Sequence, residues 1–79
     1  MPTERKIGAV RFFFYSDEGL EPPHIHVQKG DDIAKLWLKP VSLARPGRWK
    51  VHELRRVQDA VRRHQHEFIR AWRDHFHGR

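Results

Sequence analysis

Apolar and polar residues alternate through the first half of the chain and recur at helical spacing through the second. IGAVRFFFYS (7–16) is β-branched and aromatic and predicts a strand. Asp17-Glu18-Gly19 and Pro22-Pro23 follow as a polar turn with a restricted exit. His24 to Lys29 alternates again, Gly30-Asp31 or Asp31-Asp32 closes a tight hairpin, and Ile33 to Lys39 returns as a third strand. Val41 to Ala44 is a candidate fourth, before a turn at Arg45-Pro46-Gly47-Arg48. From Lys50 onward, Leu54, Val57, Val61, Phe68, Trp72 and Phe76 recur at threes, fours and their multiples, which predicts a helix. Unbroken, residues 51–76 would span roughly 39 Å, and the histidines near His64 to His66 mark an expected bend or break. Lys50 stands where a capping Ser or Asp is expected, although Glu53 suits the third helical position.

If Gly30-Asp31 is the loop, facing residues pair as Val27 with Ala34, His26 with Lys35, Ile25 with Leu36 and His24 with Trp37. Alternation then collects Val10, Phe12, Phe14, Ile25, Val27, Ala34, Leu36 and Leu38 on one face. That face and the helical stripe must bury each other. The expected architecture is α+β: a small antiparallel sheet of three strands, or four, packed on a long or broken C-terminal helix. One domain covers 1–79, β-rich over 7–44 and helical over 50–77. The opposite face carries Arg11, Phe13, Tyr15, His24, His26, Gln28, Ile33, Lys35, Trp37 and Lys39. Interleaved rings and cations suit a binding surface or a subunit interface better than a solvated face.

Composition narrows the classes. The 79 residues include no cysteine, which excludes disulfides, thiolate metal sites and cysteine nucleophiles. No apolar run approaches the ~20 residues of a membrane span, and MPTERKIG lacks a signal peptide's apolar core. A cytoplasmic protein with no membrane association is expected. The net charge of +6 is uneven. Residues 1–44 hold six basic and six acidic residues, whereas 45–79 hold ten basic and four acidic. Arg55, Arg56, Arg62, Arg63, Arg70 and Arg73 project away from the apolar stripe and would pair with phosphates or an acidic protein. The alternative is a solvated helix, its arginines tied up by Asp59, Glu67 and Asp74 through Arg55–Asp59, Asp59–Arg63, Arg63–Glu67 and Arg70–Asp74 pairs.

His24 and His26 stand two apart on a strand, so their side chains share a face, with Cα atoms about 6.5 to 7 Å apart. Such a pair is a weak metal candidate, since further ligands from Asp17, Glu18, Asp31, Asp32 or His52 would be needed. It is also a candidate acid–base pair for phosphoester hydrolysis, with Lys35 beside it. The histidine-triad arrangement needs a third alternating histidine, and that position is Gln28. The alternative without chemistry has both imidazoles hydrogen-bonded across the sheet or stacked on Trp37 and Tyr15. No cofactor is indicated.

IGAVRFFFYSDEGLEPPHIHVQKGDDIAKLWLKPVSLA, followed by HELRRV and FIRAWRDHF, resembles DUF4160, a bacterial family of small domains of unknown function. The residues that carry the resemblance are Phe13, Tyr15, Pro22, Pro23, His24, His26, Gly30, Lys35, Trp37 and Trp72, and Lys50 departs from the small hydroxyl residue usual there. The resemblance implies a short stand-alone protein, often encoded beside another small domain, DUF2442, with some members suspected of forming toxin–antitoxin pairs. It assigns no catalytic residue.

Three readings follow. The first is a non-enzymatic binding module engaging a protein partner or nucleic acid through Arg11, Phe13, Tyr15, His24, His26, Lys35 and Trp37 or through the helical arginines. The second is a metal-assisted or histidine-based phosphoester hydrolase acting on RNA or nucleotides through His24, His26 and Lys35. A third reading is a homodimer whose interface consumes the aromatic sheet face and leaves no exposed site there.

Overall fold

The computed structural model describes residues 4–15 and 20–77. Strands β1 (Glu4–Ile7), β2 (Val10–Phe13), β3 (His24–Lys29), β4 (Asp32–Leu38) and β5 (Val41–Arg45) are followed by helices α1 (Val51–Arg63) and α2 (Gln65–His77). Each strand pairs antiparallel with the next, giving a five-stranded sheet in the order β1-β2-β3-β4-β5. The α+β class is as the alternation implies, but the sheet is wider than the three or four strands expected.

The extra strand comes from a turn inside the segment read as one strand. Gly8, at φ 62°, lets the chain reverse at Gly8-Ala9, so Ile7 faces Val10 and Arg5 faces Phe12. A two-residue hairpin with glycine in positive φ matches the twist of its flanking strands. The polar sequence of β1 suits an edge strand, which must discourage pairing with other chains.

Of the two registers that alternation allows, the β3–β4 hairpin adopts the one with Gly30-Asp31 as its loop, with His24 opposite Trp37, Ile25 opposite Leu36, His26 opposite Lys35 and Val27 opposite Ala34. The β4–β5 ladder runs from Leu38–Val41 to Leu36–Leu43, then slips, so that Lys35 faces Arg45. Ala44 is the extra residue of a β-bulge.

The apolar face of the sheet and the helical stripe form one core. Phe12, Phe14, Ile25, Val27, Ala34, Leu36 and Leu38 are buried against Leu54, Val57, Ala60, Val61, Phe68 and Trp72. Phe12 stacks on Phe68 at 5.4 Å between ring centroids, and Phe14 meets Trp72 edge-on at 5.5 Å. Burying one such side chain contributes about 1.5 to 3 kcal/mol. Trp49, which lies outside the periodic stripe, is also buried, and its Nε1 donates to the Asp32 carbonyl at 2.9 Å. This bond fastens the turn before α1 to the start of β4.

The helical layer breaks at His64, with φ −108° and ψ 17°. Gln65 then donates from Nε2 to the Leu38 carbonyl at 2.7 Å, pinning the start of α2 to the end of β4. At the start of α1, Glu53 accepts from the Lys50 amide at 3.3 Å. This is the glutamate half of a capping box, since a lysine side chain cannot accept the reciprocal bond. Among the described residues no helix is long and apolar enough to cross a membrane.

Candidate functional site

Strand alternation brings the predicted ring-and-cation residues together on the sheet face away from the core. They touch in series. The Arg11 guanidinium lies 5.0 Å over the Phe13 ring, and Phe13 stacks on His26 at 5.6 Å. Tyr15 packs on His26 at 4.4 Å, His26 meets His24 edge-on at 5.2 Å, and His24 meets Trp37 at 5.7 Å. The Lys35 ammonium sits 4.7 Å over the Trp37 ring. Arg11 also donates to Gln28 Oε1 at 2.8 Å. Cations over ring faces and edge-on ring pairs are both attractive, each by about 0.5 to 1.5 kcal/mol.

This face is less open than alternation alone suggests. Phe13, His24 and His26 are buried, Arg11, Lys35 and Trp37 are half-buried, and Tyr15 is exposed. Mutual stacking covers part of each ring. His24 is sealed further by Trp72, which reaches it from α2 at 4.7 Å. No spacing along the chain could have revealed that contact, because it joins a strand end to a helix far away in sequence.

The same geometry bears on the two histidines as chemistry. His24 is fully buried, and its Nδ1 lies 2.9 Å from the Pro22 carbonyl. A carbonyl oxygen can only accept, so Nδ1 carries a proton there. Glu21 Oε1 lies 3.9 Å from the same nitrogen. His24 is therefore shielded from a solvent-borne substrate, while His26 lines a surface cavity. The imidazoles do pack on Trp37 and Tyr15, but edge-on at 85° and tilted at 59° rather than stacked.

Among the described residues no group of three His, Asp or Glu side chains stands close enough to hold a metal ion. Asp17 and Glu18 lie outside the described residues. Asp32 pairs with Arg48 at 3.4 Å, and His52 is exposed in the first turn of α1.

A cavity of about 320 Å³ opens on the outer face, lined by Tyr15, Glu21, His26, Ile33, Ala34, Lys35 and Arg45. Lys35 donates to Glu21 Oε1 at 2.7 Å along one side of it. Alternation points to Tyr15, His26 and Lys35, but not to Arg45, which reaches this face only because of the bulge at Ala44.

The second candidate surface is the outside of the helical layer. Arg55, Arg56, Arg62, Arg63, Arg70 and Arg73 are all exposed. None of the four pairs expected from their spacing forms among the described residues. Asp59 accepts from Arg62 at 3.1 Å, and Glu67 is taken by Arg5 of β1 and by His64 at 3.4 Å. Glu53 is held by Lys29 at 2.8 Å. Glu53 and Glu67 thus face the sheet and Asp59 a different arginine than expected, while Asp74 makes no ion pair among the described residues. Among the described residues Arg55, Arg56, Arg63, Arg70 and Arg73 are left without an ion pair.

Comparison with known proteins adds a family assignment and no activity. No curated protein and no solved structure matches the chain. The family described as "Domain of unknown function (DUF4160)" matches residues 10–73, from the start of β2 to the last turns of α2. The sheet face, the cavity and the arginine row all fall within that span, and the chain belongs to the DUF4160 family.

Proposed function

We propose that this protein is a small cytoplasmic, non-enzymatic binding module that engages the phosphate backbone of a nucleic acid through its helical layer. The observation that carries this reading is the set of exposed arginines, Arg55, Arg56, Arg63, Arg70 and Arg73, without ion pairs among the described residues. Guanidinium groups fit phosphate oxygens bidentately, and clustered cations raise the local concentration of polyanions. The reading requires no base recognition, so binding is expected to be weakly dependent on sequence. A place in a bacterial toxin–antitoxin or regulatory pair is compatible with a nucleic-acid contact and rests on the family resemblance alone.

The hydrolase reading has less support. His24 is fully buried and donates to a backbone carbonyl, so it is badly placed as one half of an acid–base pair.

Fluorescence anisotropy with labelled single-stranded RNA and duplex DNA over a salt series tests the proposal. Affinity should fall steeply as salt rises, by a slope of about 0.9 per phosphate contacted on duplex DNA. The combined variant Arg55→Gln, Arg63→Gln, Arg70→Gln should weaken binding and flatten that slope while leaving the far-ultraviolet dichroism unchanged. Absent or salt-insensitive binding would overturn it. In that case a host pull-down and the molecular mass in solution would decide between a protein partner and a homodimer.

A further inference from the structure

Register along β5 places one arginine where regular pairing would not. Leu38–Val41, Trp37–Ser42 and Leu36–Leu43 are regular pairs. Continued without interruption, that register would set Arg45 opposite Ala34, whose side chain faces the core. The slip between Leu36 and Lys35 pairs Arg45 with Lys35 instead. Partners across a ladder share a face, so the bulge turns Arg45 outward beside Lys35. A bulge that re-aims a cation onto a cavity is a local departure from regularity with a chemical consequence.

Lys35 is unusual for a surface lysine. Its side chain is only 14% exposed, with the ammonium held between the Glu21 carboxylate and the Trp37 ring. A lysine fixed in this way has already lost most of its rotamer freedom, so a second anion can bind it with little further ordering. Glu21 is 44% exposed, so its carboxylate lies within reach of a second anion that competes with it for Lys35. Tyr15 and Ile33, 42% and 36% exposed, supply apolar surface beside the two cations. The 320 Å³ cavity lies near the lower end of the roughly 300 to 1,000 Å³ usual for small-molecule sites.

We propose that this cavity binds a small phosphate monoester carrying a planar ring, of the nucleoside monophosphate class. Lys35 and Arg45 take the phosphate, Tyr15 and Ile33 take the ring, and Glu21 is the resident counter-ion that the phosphate replaces. The site lies on the sheet and does not depend on the helical arginines.

Titration of AMP into isotopically labelled protein tests it by amide shifts. Saturable shifts are expected at Tyr15, Lys35 and Arg45, with inorganic phosphate binding more weakly at the same positions. Arg45→Gln should weaken AMP by about tenfold, the worth of one charge-assisted contact, with Arg45→Lys recovering part of it. Glu21→Gln should tighten AMP by removing the competing carboxylate. Lys50→Gln, a surface cation outside the cavity, should leave it unchanged. Shifts confined to the helical arginines, an Arg45→Gln variant of native spectrum and unchanged affinity, or AMP no tighter than inorganic phosphate would each overturn the proposal.

Discussion

The indole of Trp72, on α2, lies 4.7 Å from the imidazole of His24 at the head of β3. Through it the helical layer touches a residue whose strand position belongs to the opposite face of the sheet. Trp72 also packs on Phe14 at 5.5 Å and Phe76 at 4.2 Å, so one side chain closes the core and the end of the sheet together. Trp72→Ala should cost about 3 to 5 kcal/mol, a large share of the 5 to 15 kcal/mol typical of a whole domain. Urea unfolding followed by dichroism measures it. Trp72→Phe should cost less, and a loss below 1 kcal/mol for the alanine variant would contradict the packing described.

Phe12 and Phe68 form the main ring stack between sheet and helix, at 5.4 Å. Each alanine variant alone should lose several kcal/mol. In a double-mutant cycle built from the milder leucine variants, the coupling should be about 0.5 to 1.5 kcal/mol beyond additivity. Additive losses would mean that the rings are merely buried near each other.

Gly47 sits at φ 60° in the turn before α1, where an added Cβ would lie 2.1 Å from the Ile33 carbonyl oxygen. Backbone cannot yield there without moving β4. Gly8 has the same sign of φ, but nothing lies within 4 Å of its position. Gly8→Ala should therefore show only the left-handed conformational cost of roughly 1 to 2 kcal/mol, and Gly47→Ala distinctly more. Thermal melts of the two variants side by side give the comparison.

The carboxyl of Glu53 is held below its ordinary value of 4.5, chiefly by the hydrogen bond from Lys29 and then by that from the Lys50 amide. A depressed carboxylate stabilises the fold above the ordinary value and loses that contribution as pH falls through the folded one. Glu53→Gln should therefore be less stable than the parent at pH 7. The gap should narrow steadily once the pH drops below about 4.5. Urea midpoints of both proteins from pH 7 to pH 3 give the curve, and a gap independent of pH would mean that Glu53 acts through shape alone.

Much of this fold is legible in the chain because its strongest signals are local. Gly30, Asp31 and Asp32 between two alternating segments mark the β3–β4 hairpin and the faces of its strands, though not which pair forms the loop, and the spacing of Leu54, Val57, Val61, Phe68 and Trp72 fixes the buried side of the helices. The interruption expected around His64 falls at His64. What escapes is whatever depends on exceptions to period or on distant contacts. Gly8-Ala9 hides a hairpin inside a β-branched run, and β1 is too polar to register as a strand. Ala44 breaks alternation, so Arg45 cannot be assigned a face by counting. Burial of His24 under Trp72 is a tertiary contact with no local trace. The arginine row is visible, but its pairing is not, because Arg5 of an unexpected strand takes Glu67.

Each strand lies beside the one that precedes it, and three of the four strand connections are as tight as Gly8-Ala9, Gly30-Asp31 and Lys39-Pro40. Closing such short loops forfeits little chain entropy, so the sheet can zip from any of its hairpins without first organising distant segments. Low contact order of this kind goes with rapid folding. The helical segment must then dock across the assembled sheet, where Gln65, Trp49 and Trp72 are the points of attachment.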